Sequence, residues 1–521
     1  MLTEKLRKLE LWIFIFFACV FIFISNGRFG GDGLENYLTA ESIVLDKDLS
    51  IHDRPFQVKE MHYEDRGPVG KDGKIYSSYG LAMALMLVPF YFFGHILSNF
   101  LPFVPHDYIT QFAVSMANPL VLALLSVVLF RLLLHLGYNL RASFIAVVVY
   151  SLCTMNLIYA RSGFSEPLVA ILVLIAVLEL FIFSKNNKPE ALCLAGLAFG
   201  YALFIKKNSF ILFPGFLFYF IYLLLKVPRK GARNLILIYC LAFFVPIALS
   251  FLAIMIQNKV MYGGITNTEF GAASGLFQVI WRKGLFAKGI YHYLLSSGKG
   301  YFFYNLPMLL GLFAVKDFFK KNKSFCVFII LLLLLNLIYY SVTFTRDTLF
   351  SWGPRYLFPT LPLMAVFLAE FINKKNTVQR RSTIIFAALA GFLIQLPSLI
   401  ISFSKYLFFV KEKLLLSEYL LNYMPELSPI RGAWGLFLSF LHRHLFGSSL
   451  NYYFNPDFRF VIPKAASLFG YDGIDIWWVN ILKVNPSLVL FPVILAIFFL
   501  VAAVLSLSRI ISFIKKQTYA S

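Results

Sequence analysis

Apolar runs of about 17 to 25 residues recur from one end of this chain to the other, each long enough to cross a hydrocarbon core of roughly 30 Å. Hydrocarbon offers the backbone no hydrogen-bond partners, so such runs must be helices that satisfy their own amides and carbonyls. Of the 521 residues, 59% are hydrophobic and 14% charged, whereas soluble chains carry about 25% charged residues. The fold class is therefore all-α, a polytopic helical membrane protein. The first run, Trp12 to Ser25, follows Lys5, Arg7 and Lys8 as a signal peptide would, but no small-x-small site follows it, so it reads as an uncleaved first helix. Cys19, Cys153, Cys193, Cys240 and Cys326 all fall inside apolar spans without paired spacing, and read as packing residues.

The formal charge of +21 would suit a nucleic-acid binder if it were spread evenly. It is not. Residues 1–10, 131–142, 185–190, 226–234, 316–324, 373–382 and 508–521 hold 22 Lys/Arg against four Asp/Glu, while the remainder holds 25 against 22. Short basic connections are the positive-inside signature, which places these seven segments and both termini in the cytoplasm and makes an anionic leaflet their partner. No nucleic acid is implied. Two crossings between successive basic segments give spans at about 143–160 and 165–184, 190–205 and 209–226, 235–256 and 303–315, 325–342 and 355–372, and 383–403 and 487–507. With the first helix and 113–135 the count is 12. Leu81 to Leu97 is then surplus, and reads as a re-entrant or interfacial helix interrupted at Pro89 and Gly94, within an outer loop 27–112. The expected organisation is a membrane module 1–403, an outer loop or cap 404–486, and a last helix with basic tail 487–521.

This topology collects the residues that carry chemistry on the outer side. Asp32 and Glu35 lie in Gly30-Gly-Asp-Gly-Leu-Glu-Asn-Tyr37, where glycines let a chain tuck an acid against a ligand but also make ordinary turns. Glu166 opens a helix beside Pro167, five residues after Arg161. The helix dipole and a first-turn proline account for such a carboxylate, yet ionisable groups at membrane depth are costly and usually functional. Lys206 and Lys207 follow an apolar span on the outside, where snorkelling lysines are less expected. Lys299, in Ser-Gly-Lys-Gly, and Arg355, in Trp-Gly-Pro-Arg-Tyr356, sit at outer helix starts, where open N–H groups favour anions. Four basic groups with two acidic sites describe a cavity for an anionic, phosphate-bearing ligand beside a general base.

The order of several motifs resembles the GT-C superfamily of membrane glycosyltransferases, which includes protein O-mannosyltransferases and lipid A aminoarabinose transferases. The matching pieces are Asp32 after the first helix, Lys74-Ile-Tyr-Ser-Ser-Tyr79-Gly, Val88-Pro-Phe-Tyr-Phe-Phe-Gly94 and Ala160-Arg-Ser-Gly-Phe-Ser-Glu166-Pro. They continue with Gly196-Leu-Ala-Phe-Gly-Tyr-Ala-Leu-Phe-Ile-Lys206, Ser297-Gly-Lys-Gly-Tyr-Phe-Phe-Tyr-Asn-Leu-Pro307 and Trp352-Gly-Pro-Arg-Tyr-Leu-Phe-Pro-Thr-Leu-Pro362. The resemblance covers roughly residues 10–375 and none of 404–486. Two departures stand out. Glu166 replaces the Asp of many members, and the adjacent acidic pair of the mannosyltransferases is missing around Asp32.

What the resemblance implies is an inverting transferase in a bacterial inner membrane. It would move a hexosyl or pentosyl group from a polyprenyl-phosphate donor to a hydroxyl or amine of a lipid, glycan or protein. Asp32 and Glu166 would be catalytic, with Asp32 the base. Glu35, Tyr37, Lys74, Tyr79, Arg161, Lys206, Lys207, Lys299, Arg355 and Tyr356 would bind substrate, the cations steadying the departing phosphate. No metal or other cofactor is called for. The rival is a flippase or transporter of an anionic lipid, which inverted repeats with helices broken at mid-membrane would favour.

Overall fold

A computed structural model describes residues 2–28, 32–52, 67–102, 104–227, 232–268, 271–272, 285–343, 350–374, 377–408, 410, 418–446, 473–484 and 490–520. The helices are α1 (Leu2–Ile24), α2 (Asp32–Leu45), α3 (Ala82–Phe100), α4 (His106–Ser115), α5 (Ala117–His135), α6 (Leu140–Leu152), α7 (Glu166–Asn186), α8 (Pro189–Ile205), α9 (Phe213–Leu224) and α10 (Ala232–Tyr262). They continue with α11 (Leu285–Leu295), α12 (Lys323–Val342), α13 (Leu361–Asn373), α14 (Val378–Ile400), α15 (Pro429–Phe446), α16 (Trp477–Val484) and α17 (Leu490–Ala520). A two-residue strand pair, Asn267–Thr268 with Gly271–Ala272, is the only paired sheet among the described residues. Nine helical stretches among those residues are long and apolar enough to cross a membrane, and the shorter α6 and α8 are also apolar. The chain is a multi-pass membrane protein.

Helices pack in a row: α17 on α1, α1 on α5, α5 on α7, α7 on α8 and α8 on α10. Leu129, Phe130, Val173, Leu192, Phe199 and Phe243 are among the fully buried residues that fill the seams. A smaller apolar cluster, built on Tyr406, Leu407, Leu421, Leu427, Leu436 and Phe440, belongs to the segment after α14.

Polar contacts gather at two opposite ends. At one end Arg131 grips Glu10 through Nε (2.6 Å) and Nη2 (2.5 Å), Tyr138 and Lys321 both reach Glu370, and Asn139 meets Asn373. These are the basic connections, with the start of α1 and the finish of α17 beside them. At the other end the amide of Trp477 donates to the Ser25 carbonyl (2.9 Å), and Asn118 Nδ2 donates to the carbonyls of Ser162 (2.5 Å) and Phe164 (2.9 Å). The second set marks the site end of the bundle.

Two expectations change. The stretch 82–100 is one uninterrupted helix through Pro89 and Gly94. Gly94 serves close packing instead: a Cβ there would lie 2.8 Å from that of Ala113 and 2.9 Å from Thr110 Cα, on α4. Both halves of α3 nonetheless stay at the site end. Its start meets Tyr201 and Gln257 near the C-terminal ends of α8 and α10, and His95 meets His106 at the far tip of α4. Phe92, Phe93 and Phe100 remain exposed, the apolar face an interfacial helix needs. The second change is at 303–315, expected as a plain span. It breaks into turns at Tyr301–Tyr304, Leu306–Met308 and Leu309–Leu312. Side chains take over the freed backbone groups there: Asn305 Nδ2 donates to the Tyr301 carbonyl, and Gln395 Nε2 to that of Tyr304.

Candidate functional site

Asp32 is the first residue of α2 and Glu166 the first of α7, so both carboxylates sit where unpaired helix N–H groups favour negative charge. Asn118 on α5 holds the turn that delivers Glu166. Lys206 caps the last turn of α8, where the backbone swings to an extended conformation before the 3-10 turn Lys207–Leu212. Arg355 begins the 3-10 turn Arg355–Thr360 that leads into α13. Just before it, Gly353 adopts φ +69 and presses on the Tyr304 ring, a place no Cβ fits. Trp352 is buried with Nε1 donating to Gln395 (2.7 Å), which fixes the approach of that turn.

These four residues meet. Arg355 Nη2 lies 2.5 Å from Asp32 Oδ2, and Arg355 Nε donates to Glu166 Oε1 at 2.6 Å. Lys206 Nζ donates to the same Glu166 oxygen. The Arg355 guanidinium also stacks 4.0 Å above the Phe164 ring, and Lys206 sits 4.6 Å from the Tyr356 ring centre, which orients both cations. The Tyr79 phenol lies beside Asp32. Burial and the Asp32 charge push this phenol well above its usual range, so it remains a neutral donor.

Accessibility divides the acids. The Glu166 side chain is 0% exposed and Asp32 24% exposed. Only Asp32 is open to a reacting group, whereas Glu166 is enclosed by cations that it holds in place. Glu166 Oε2 is buried without a hydrogen-bond partner among the described residues. Glu35 sits one turn further along α2, and its Oε2 accepts the Ser78 amide at 2.6 Å. Burial and, more weakly, the Asp32 charge raise its carboxyl above the ordinary range, while the Ser78 hydrogen bonds pull it back.

Of the other residues singled out in the sequence, Tyr356 joins the cluster, and Lys207 and Lys299 lie on flanking segments. Lys207 Nζ is 3.5 Å from Asn258 Oδ1, and Lys299 donates to Ser351 Oγ (2.5 Å). Three are placed elsewhere. Lys74 is exposed and paired with Asp48 (2.7 Å). Tyr37 turns into the α2–α4 seam, its hydroxyl 2.7 Å from Thr110 and its ring against Tyr91. Arg161, expected beside Glu166, points the other way to Asp475 (3.3 Å) and to the carbonyls of Ser398 and Asp475. Gly30 and Gly31 lie outside the described residues.

The expected surplus of cations facing a ligand is also revised, since Arg355 and Lys206 are neutralised by the two acids. No group of three His, Cys, Asp or Glu side chains suited to a metal occurs among the described residues. The cation that bridges Asp32 and Glu166 is Arg355. Phe164 and Asn118 are structural contributors the sequence reading did not assign to the site.

No protein-family model and no curated protein match the chain. Solved structures similar to it include the following two. ArnT from Cupriavidus metallidurans in the apo state is 12% identical over 90% of this chain and 76% of its own, at a TM-score of 0.48. ArnT from the same organism bound to undecaprenyl phosphate is 10% identical over 91% and 77%, at 0.43. Likeness of that size leaves the activity to be argued from this chain's own residues.

Proposed function

We propose that this protein is an inverting glycosyltransferase that moves a sugar from a polyprenyl-phosphate donor to an acceptor hydroxyl or amine at the outer face of a bacterial inner membrane. The observation that carries the reading is the buried Asp32–Arg355–Glu166–Lys206 cluster at one end of a membrane bundle. An acid, two fixed cations and a lipid phase meet there, as chemistry on a lipid-linked phosphate ester requires.

Asp32, the more open acid, accepts the proton as the acceptor oxygen or nitrogen attacks the anomeric carbon. The bond from that carbon to the phosphate oxygen breaks, and the electron pair leaves on the polyprenyl phosphate. Arg355 and Lys206, oriented by Glu166, stabilise that charge, with Lys207 and Lys299 on the flanks. A phosphate leaving group needs no protonating acid, and a single displacement inverts the anomeric centre.

The test is transfer in proteoliposomes supplied with polyprenyl-phosphate sugars and an envelope acceptor pool. Asp32→Asn is expected to lower turnover by about 10²–10⁴-fold, the usual worth of a general base, with the protein still folded. Glu166→Gln is expected to lower it as well, by loosening both cations. Unchanged turnover in Asp32→Asn would assign the base elsewhere. Lipid crossing the bilayer without sugar transfer would replace this reading with a transporter.

A further inference from the structure

Asp475 is a buried carboxylate that the proposed chemistry does not use. It comes from the segment after α14, far in sequence from either acid, and its side chain is 6% exposed. Three donors converge on it: Arg161 Nη2 on Oδ2 (3.3 Å), and Arg28 Nη2 and Asn480 Nδ2 on Oδ1, each at 3.2 Å. Arg161 also donates to the Asp475 backbone carbonyl. The arginine charges hold the Asp475 carboxyl below the usual carboxylate range against the opposing effect of burial.

The two arginines are informative by position. Arg28 lies four residues before Asp32, in the turn leaving α1, and Arg161 lies five residues before Glu166, in the turn entering α7. One carboxylate thus grips both turns that deliver the acids. Its own backbone is held too. The Asp475 amide donates to the Ile400 carbonyl (2.8 Å), Ile474 bridges Ile401, and Trp477 donates through its amide to Ser25 and through Nε1 to Ile22 (both 2.9 Å). A salt bridge on the water-exposed surface would do little of this, because solvent and side-chain freedom would absorb it. Here the carboxylate and Arg161 are each 6% exposed, and the half-exposed Arg28 takes the other oxygen, so one enclosed acid ties the two turns together.

We infer that Asp475 is a positioning residue, which sets the separation of Asp32 and Glu166 through Arg28 and Arg161 and so makes the segment after α14 part of the working site. This rests on the roles given above to Asp32 and Glu166. It predicts that loosening Asp475 lowers the chemical step more than donor binding, since a misplacement of about 1 Å costs about 10²-fold in rate.

The experiment compares the full-length parent, Asp475→Asn, Asp475→Ala and Asp475→Glu in nanodiscs by two readouts. Hydrogen–deuterium exchange follows the peptides ending at Asp32 and at Glu166, with α8 as internal control. Turnover on a polyprenyl-phosphate sugar gives kcat and donor KM. The expected result is faster exchange in both peptides but not in α8, with kcat down about 10- to 100-fold and KM within about twofold. Asp475→Glu should recover part of both. Asn preserves shape, so it remains informative if Ala unfolds. Unchanged exchange in both peptides of a folded Asp475→Asn protein overturns the inference, whatever the turnover. Faster exchange with normal kcat, in a protein that Asp32→Asn inactivates, overturns it too. If Asp32→Asn and Glu166→Gln also keep full turnover, the catalytic reading of the acids falls first and takes this role with it.

Discussion

Glu35 shows what burial does to a single acid beside the cluster. Its raised carboxyl pKa means that the folded chain binds a proton there more readily than the unfolded chain. The corresponding stability is fully present below the ordinary glutamate value of 4.5 and is lost as pH rises through the higher folded value. Glu35→Gln should therefore melt at a higher temperature than the parent near neutral pH, with the margin shrinking as the medium is acidified towards pH 4.5. Melting curves across that range check it, and a margin that grows on acidification would refute the assignment. Residues such as Asp32, Glu166, Lys206 and Arg355 stand out in the sequence because an ionisable group beside an apolar span needs a reason to be there. Their pairing was not legible. Arg355 reaches Glu166 across 189 positions, a distance no local pattern encodes. Lys74 and Arg161 were misplaced for the same cause: a charged side chain in a turn takes the acid that folding brings nearest, Asp48 for one and Asp475 for the other.

Helix α8 shows how small residues set the spacing of whole elements. Gly196 and Gly200 occur four apart, on one face of α8, and both press on α10. A Cβ on Gly196 would come within 2.3 Å of the Phe243 carbonyl oxygen, and one on Gly200 within 3.0 Å of that of Pro246. Close backbone approach of this kind is how helices associate where lipid removes the hydrophobic drive. Gly196→Val should cost about 1–3 kcal/mol, the usual penalty of overpacking, and lower the melting temperature. An equal change at lipid-facing Leu194, 50% exposed, should do little. Thermal unfolding of the two variants separates these outcomes. Apolar length and basic connections were enough to locate most long helices, because both follow from the bilayer itself. They misjudged Tyr301 to Leu312, where Gly300, Pro307 and Gly311 break an apolar run that hydropathy alone reads as continuous. Pro89 misled in the opposite sense, since α3 runs straight through it.

Taken as a bundle, the protein has a basic end and a site end, with the start of α1 and the finish of α17 together at the basic one. If the basic end faces the cytoplasm, a membrane-impermeant thiol reagent should modify Leu45→Cys on intact cells and Lys188→Cys only after permeabilisation. Both positions are exposed, one at each end. The converse pattern would invert the orientation, and equal labelling would dissolve the two-ended arrangement. At the site end, Asp32, Glu166, Lys206 and Arg355 pair among themselves, and their formal charges sum to zero. A neutral quartet, open mainly at Asp32, casts little field beyond its own walls, and long-range capture depends on such a field. On the proposed function, an anionic lipid would find this cluster by wandering in the plane of the bilayer, at an encounter rate nearly indifferent to dissolved salt. Recognition would then begin only on contact, with the incoming phosphate trading places with a carboxylate at the guanidinium.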